Sequence, residues 1–185
     1  KMAKNFQRVG DVAFSRMEKI NSEVFTLTYG AIVTQLLKDY EDVEEVSRQL
    51  DKMGYNIGQR LIDELLAKSN VGPCADFKET AEAVAKVGFK MFLGVTALVT
   101  NWNPEGTEFS LILEENPLND FVELPEQYRG LKYSNILCGV IRGALEMVNL
   151  RVECQFVRCV LSGEEVSEIR VILIEKVADQ YPYDE

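Results

Sequence analysis

Histidine is missing from all 185 residues of this chain. The side chain most used for proton transfer near neutral pH is therefore unavailable. That excludes Ser-His-Asp and Cys-His catalysis, the usual zinc sites and haem held by a proximal histidine. Long apolar runs are lacking too. None reaches the roughly 18 residues that span a bilayer. Gly-x-Gly-x-x-Gly, Gly-Lys-Ser/Thr and Cys-x-x-Cys do not occur, so dinucleotide, nucleotide-phosphate and dithiol motifs are absent. Positive charge is in deficit: 20 Lys and Arg stand against 30 Asp and Glu, a net charge of −10. Such a balance opposes binding to nucleic acid and broad electrostatic adhesion to anionic membranes.

Further absences bear on the thiols. The opening Lys1-Met2-Ala3-Lys4 lacks the apolar core of a signal peptide, and no Asn-x-Ser/Thr acceptor occurs. Cys74, Cys138, Cys154 and Cys159 are accordingly read as reduced thiols. Cys154 and Cys159 are separated by four residues without a second ligand pair, so no metal site is expected. Carboxylates are plentiful, yet none is paired in an apolar setting that marks an acid and a base.

What remains is an ordinary globular balance, 46% hydrophobic and 27% charged, at the size of one domain. Residues 1–15 show weak periodicity and read as a mobile tail, entering a helix near Asp11. The spacing of Phe25, Tyr29, Ile32, Leu36 and Tyr40 predicts a helix over 21–40. Val24, Leu27, Ala31 and Val33 widen its apolar stripe past half the circumference. Such a helix is buried on two sides, by its own core or by a partner subunit. A second helix is predicted over 43–69, carrying Val46, Leu50, Met53, Ile57, Leu61 and Leu65. Gly54 and Gly58 interrupt it four residues apart. Each mid-helix glycine costs up to about 1 kcal/mol, so the pair predicts close approach of another backbone.

The loop Ser69-Asn70-Val71-Gly72-Pro73-Cys74 follows. Asp76 caps a third predicted helix over 76–94, whose face of Phe77, Ala81, Val84, Gly88, Met91 and Val95 alternates small with large residues. That face either admits another element or leaves a groove. Then the period changes to two. Ala97–Trp102 and Glu108–Leu113 read as a hairpin. A fourth long helix is predicted over 131–149, with Gly139 and Gly143 repeating the small-residue spacing. Residues 151–161 and 168–175 read as a second hairpin. The expected fold is one α+β domain of about four long helices packed with a mostly antiparallel sheet built from two hairpins. It covers 16–178, with an acidic tail over 179–185.

Cys74 has two readings on the residues alone. It is a loop thiol, or a handle facing an apolar interior, activated by the start of the third helix. Several segments in order carry a resemblance: Phe25-Thr26-Leu27-Thr28-Tyr29-Gly30-Ala31, Met53-Gly54-Tyr55-Asn56-Ile57-Gly58, Asn101-Trp102-Asn103, and Asn116-Pro117-Leu118 with Asp120-Phe121-Val122-Glu123-Leu124-Pro125. From Lys19 onward the chain resembles the small-subunit family of the transport protein particle (TRAPP), a vesicle-tethering assembly.

The resemblance implies a covalently bound palmitate or similar acyl chain on Cys74, in a channel walled by Leu65, Val84, Gly88 and Phe92. It implies no metal. Family members commonly carry arginine immediately before this cysteine. Here the residue is Pro73, so a nearby cation is expected to be lost. The family is similar in fold to nitric-oxide-sensing haem domains, whose proximal histidine this chain cannot supply. The resemblance further implies pairing with other TRAPP subunits, or a homodimer when alone, through Val24, Phe25, Ala31, Ile32, Gly54 and Gly58. It implies contact of Asp184 and Glu185 with a Rab-type GTPase, and a composite exchange surface that exists only in the complex. The setting it implies is cytoplasmic, with peripheral attachment at ER exit sites and Golgi membranes. A lipid carrier and a cysteine-dependent acyl-thioester enzyme are the rival readings.

Overall fold

The computed structural model describes residues 4–177. Helix α1 spans Phe6–Arg16, α2 Ser22–Tyr40 and α3 Val43–Ser69. Next, α4 (Phe77–Ala83) runs through a π-helical turn at Val84–Gly88 into α5 (Phe89–Leu93). Strands β1 (Leu98–Thr100) and β2 (Glu108–Leu113) lead to α6 (Ile136–Glu146), then to β3 (Leu150–Arg158) and β4 (Ser167–Lys176). The fold is the expected α+β arrangement.

The two hairpins join into one antiparallel sheet of order β1-β2-β4-β3. Phe109 faces Val171 and Leu111 faces Ile169 across the central pair. Those four side chains are buried, and with Leu113 and Val152 they form the inner face against the helices. Alternation places Glu108, Glu168 and Arg170 on the other face, where Arg170 pairs with both carboxylates and Arg158 with Glu168.

Two long helices lie nearly backbone to backbone. A Cβ on Gly54 would overlap the carbonyl oxygen of Ile136, and one on Gly58 that of Val140. On the facing helix, a Cβ on Gly139 would overlap Asp51 O, and one on Gly143 would overlap Tyr55 O. The predicted close approach is thus met within the chain, by α6. This corrects the assignment of Gly54 and Gly58 to a subunit interface: both are buried under α6 and present nothing to a partner.

The fourth helix is shorter than expected. Residues 131–132 are irregular and 133–135 form a turn, and Leu131 and Tyr133 enter the core from outside the helix. The N-terminal reading is corrected as well. Residues 6–15, expected to be a tail, are helix. Asn5 accepts from Arg8 N at 3.0 Å, and Phe6, Gly10 and Ala13 turn inward one helical turn apart. Gly10 lets α1 press on Lys86 O of the π turn, where a Cβ would overlap. The weak stripe misled because it is only three small or aromatic residues wide.

Candidate functional site

The chain reverses after α3 by local means. Asn70 and Gly72 adopt left-handed backbone, at φ 54° and 66°, the region Gly and Asn tolerate best. Between them Val71 drops into a small cluster with Phe6, Ala83 and Val87, against which Val9, Leu65 and Cys74 pack. Asp76 then accepts from Glu79 N at 2.8 Å, while Glu79 accepts from Ala75 N at 3.0 Å. This reciprocal cap starts α4 and pins the backbone immediately after Cys74.

Cys74 stands in the wall of an apolar cavity of about 1160 Å³, open on one side and lined mainly by α2, α3, α4, α5 and α6. Ligand pockets commonly measure about 300–1,000 Å³, so this one admits a long chain. Leu65, Val84, Gly88 and Phe92 all line it. The sequence-predicted wall is therefore brought together around the predicted thiol. Of the four cysteines, Cys74 is the one on this wall.

The π turn shapes the cavity. Its Ala85 carbonyl accepts from Ala97 N at 3.0 Å, tying the turn to the chain that enters the sheet. The widened turn carries Val84 and Gly88 to the cavity wall. A Cβ at Gly88 would meet Leu65 Cδ1 at 3.6 Å, ordinary contact, so the open space beyond is not closed by backbone.

Burial pushes the Cys74 thiol above its ordinary range, with Glu79 and Asp76 adding to the rise. The charge of Lys4 and a hydrogen bond with the Thr80 hydroxyl oppose it. The expected activation by the helix start is thus outweighed by desolvation. The expected loss of a neighbouring cation is corrected too, because Lys4 takes that place from α1's leading end. Lys4 donates to Pro73 O and pairs with Glu79 at 3.2 Å. Sequence reasoning missed Lys4 because its helix was missed; the Asn5 cap was the available signal. At Cys138, burial holds the thiol well above its ordinary range.

The predicted interface residues divide. Val24 (60% exposed) and Ala31 face outward from α2, beside Leu27 at 66%. Phe25 and Ile32 line the open side of the cavity. Asp184 and Glu185 lie outside the described residues. Among those described, no helix is long and apolar enough to cross a membrane. No group of three or more His, Cys, Asp or Glu that could hold a metal ion occurs there either.

Comparison with known proteins adds the following. Residues 25–172 match the family model described as transport protein particle (TRAPP) component. The chain is 61% identical over 182 residues to trafficking protein particle complex subunit 3 of Dictyostelium discoideum, covering 98% of each. It is 51% identical over 176 residues to the transport protein particle subunit bet3 of Schizosaccharomyces pombe, covering 95% of this chain and 96% of the other. Among solved structures it resembles a trafficking protein particle complex subunit 3 from Naegleria fowleri covalently bound to palmitic acid. That likeness has a TM-score of 0.84 and 60% identity, over 88% of this chain and 100% of the other.

Proposed function

This chain belongs to the TRAPP component family, and from that premise we propose that it is a core scaffold subunit of a vesicle-tethering complex, with an acyl chain held as a thioester on Cys74. The observation that carries the acyl reading is the placement of Cys74 on the wall of an apolar cavity large enough for a long chain. The palmitate-bound relative supports the same reading. Each buried methylene contributes roughly 0.8 kcal/mol, so a sixteen-carbon chain contributes on the order of 10 kcal/mol gross. Buried inside the fold, the lipid acts as a structural cofactor and not as a membrane anchor.

The exposed apolar side of α2 is the surface for neighbouring subunits, and for a second copy when the chain is alone. Val24, Leu27 and Ala31 leave it unfilled by the chain's own core. The assembled complex acts on a Rab-type GTPase in ER-to-Golgi transport by favouring its nucleotide-free form. The tail bearing Asp184 and Glu185 contributes acidic groups that compete with phosphate there. The chain by itself is not a covalent catalyst. A buried thiol whose proton is held more tightly suits retention of an acyl group better than turnover.

Affinity capture of the tagged chain from cell lysate, followed by mass spectrometry, tests the assembly. Recovery of the other TRAPP subunits in stoichiometric amounts is expected, and a chain recovered without them overturns the scaffold reading. Deleting residues 182–185 should lower exchange by the reconstituted complex while assembly stays intact. Unchanged exchange removes Asp184 and Glu185 from the functional surface.

A further inference from the structure

The leading end of α1 is aimed at Cys74. The Asn5 cap fixes the first turn, and Phe6 is buried in the cluster that Cys74 itself packs against. Lys4, two residues before Phe6, is thereby placed over the loop after α3. Its ammonium bridges the two sides of Cys74: it donates to Pro73 O on one side and pairs at 3.2 Å with Glu79 on the other. Glu79 in turn holds Ala75 N. The Lys4 side chain is one-third exposed, so its charge acts at short range beside the loop and is partly screened by solvent.

We propose that Lys4 is a positioning residue for acyl transfer to Cys74, its ammonium clamping the backbone before Cys74 to the first turn of α4 after it, and so setting a positive charge beside the attacking Sγ. This rests on the reading that Cys74 takes an acyl chain. The step it serves is a thioester exchange with an acyl-coenzyme A. The thiol gives its proton to solvent, and Sγ attacks the acyl carbonyl carbon. The new Sγ–C bond forms as the old C–S bond breaks. Coenzyme A leaves as a thiolate and takes up a proton, so no oxidant or reductant is needed.

The geometry explains why a cation is wanted here. Desolvation disfavours the thiolate, and the charged groups facing Cys74 from the loop and α4 are both acidic, Asp76 and Glu79. Thr80 supplies a neutral hydroxyl. Lys4, just ahead of the Asn5 cap of α1, brings positive charge to the thiol. Without it, burial and two carboxylates act in the same direction. The same arrangement ties loading of the cavity to the docking of α1, because the charge arrives only when Phe6 is seated.

The test uses the full chain, stripped with neutral hydroxylamine and then given palmitoyl-coenzyme A across a pH series. Hydroxylamine-labile mass gain is followed for the wild type, Lys4→Met, Lys4→Gln, Lys4→Arg and Cys74→Ser, with melting profiles confirming the fold. Both neutral variants should acylate more slowly at pH 7 by roughly tenfold. Their rate profiles should move to higher pH, and Lys4→Arg should stay near the wild type. Wild-type rates and profiles in both neutral variants, with Cys74→Ser inert, overturn the role of Lys4 and leave the Cys74 reading standing. Equal slowing in Lys4→Arg without any change in pH profile also overturns it, since that is a packing effect. No labile mass gain in the wild type overturns both readings.

Discussion

Replacing Gly88 by leucine should empty the cavity of its acyl chain without unfolding the protein. Gly88 lies on the π turn at the cavity wall. A Cβ there meets Leu65 Cδ1 at 3.6 Å and Ala83 O at 4.0 Å, so the first carbon fits. The remaining carbons of leucine have open cavity to enter. Added volume in a filled core typically costs about 1–3 kcal/mol, and here the cost falls at the low end or below. Loss of glycine from a helical position returns up to about 1 kcal/mol. The empty variant should therefore be nearly as stable as empty wild type. The acyl-loaded wild type is different. Its lipid contributes on the order of 10 kcal/mol gross. Each net kcal/mol moves the melting midpoint of a chain this size by about 2–4 °C. Retention of only a few kcal/mol separates loaded wild type from Gly88→Leu by roughly 10 °C. Gly88→Ala adds one carbon in ordinary contact and should still load. Intact mass and thermal melting on the same samples give the readout. A folded Gly88→Leu protein that carries a full acyl complement and melts with wild type would refute the placement of the channel.

Gly139→Ala should behave in the opposite way, because its Cβ would overlap Asp51 O and stand 2.7 Å from Tyr55 N; a loss of about 2 kcal/mol or more is expected from urea midpoints, and an unchanged midpoint would contradict the α3–α6 contact. Val24→Asp combined with Leu27→Asp should convert self-associated protein to monomer in sedimentation, since both side chains, 60% and 66% exposed, lie on the outward face of α2; a dimer indifferent to both would move the interface elsewhere. Glu168→Gln should cost about 2 kcal/mol near neutral pH, because its carboxylate is 5% exposed and paired with Arg158 at 2.7 Å. Burial raises the Glu168 carboxyl, but the bonds from Arg158 and Asn101 and the Arg158 charge outweigh it and hold it below its ordinary value. That stabilisation is complete above the ordinary carboxylate range and is lost as pH falls through the lowered value, so the gap between variant and wild type should close in acid; a gap independent of pH would sink the assignment.

Periodicity carried most of the fold. Helix α3 was legible in its bounds; of its expected stripe Val46 and Leu50 are buried, while Ile57 is exposed and Ile62, which the stripe left out, is buried. The hairpins were legible from alternation at Val152, Cys154 and Phe156 and from the turn near Gly106. What escaped was set by tertiary contact. Gly54 and Gly58 announced a close backbone, but a single sequence does not say whose; the answer, α6, depends on how a pair of glycines on each helix register. The π turn was invisible because its Ala85 carbonyl bonds to Ala97 N, whose position follows only from the fold. Helix α1 escaped because its inner face is narrow, and with it went Lys4. Val84 and Gly88 stood on the small-and-large stripe read from the residues, while Leu65 and Phe92 were assigned to the wall through the resemblance. Cys74's chemistry was only half legible: the helix start was visible in sequence, while the burial that overrides it was not.

The most direct measurement is the intact mass of the purified chain before and after neutral hydroxylamine, taken in parallel with Cys74→Ser. Hydroxylamine cleaves a thioester and spares amides. The account predicts an acyl-sized mass on the wild type that hydroxylamine removes, no such mass on Cys74→Ser, and a lower melting midpoint for the variant. A wild-type chain without labile mass that melts together with Cys74→Ser would contradict it, as would the same labile mass on both.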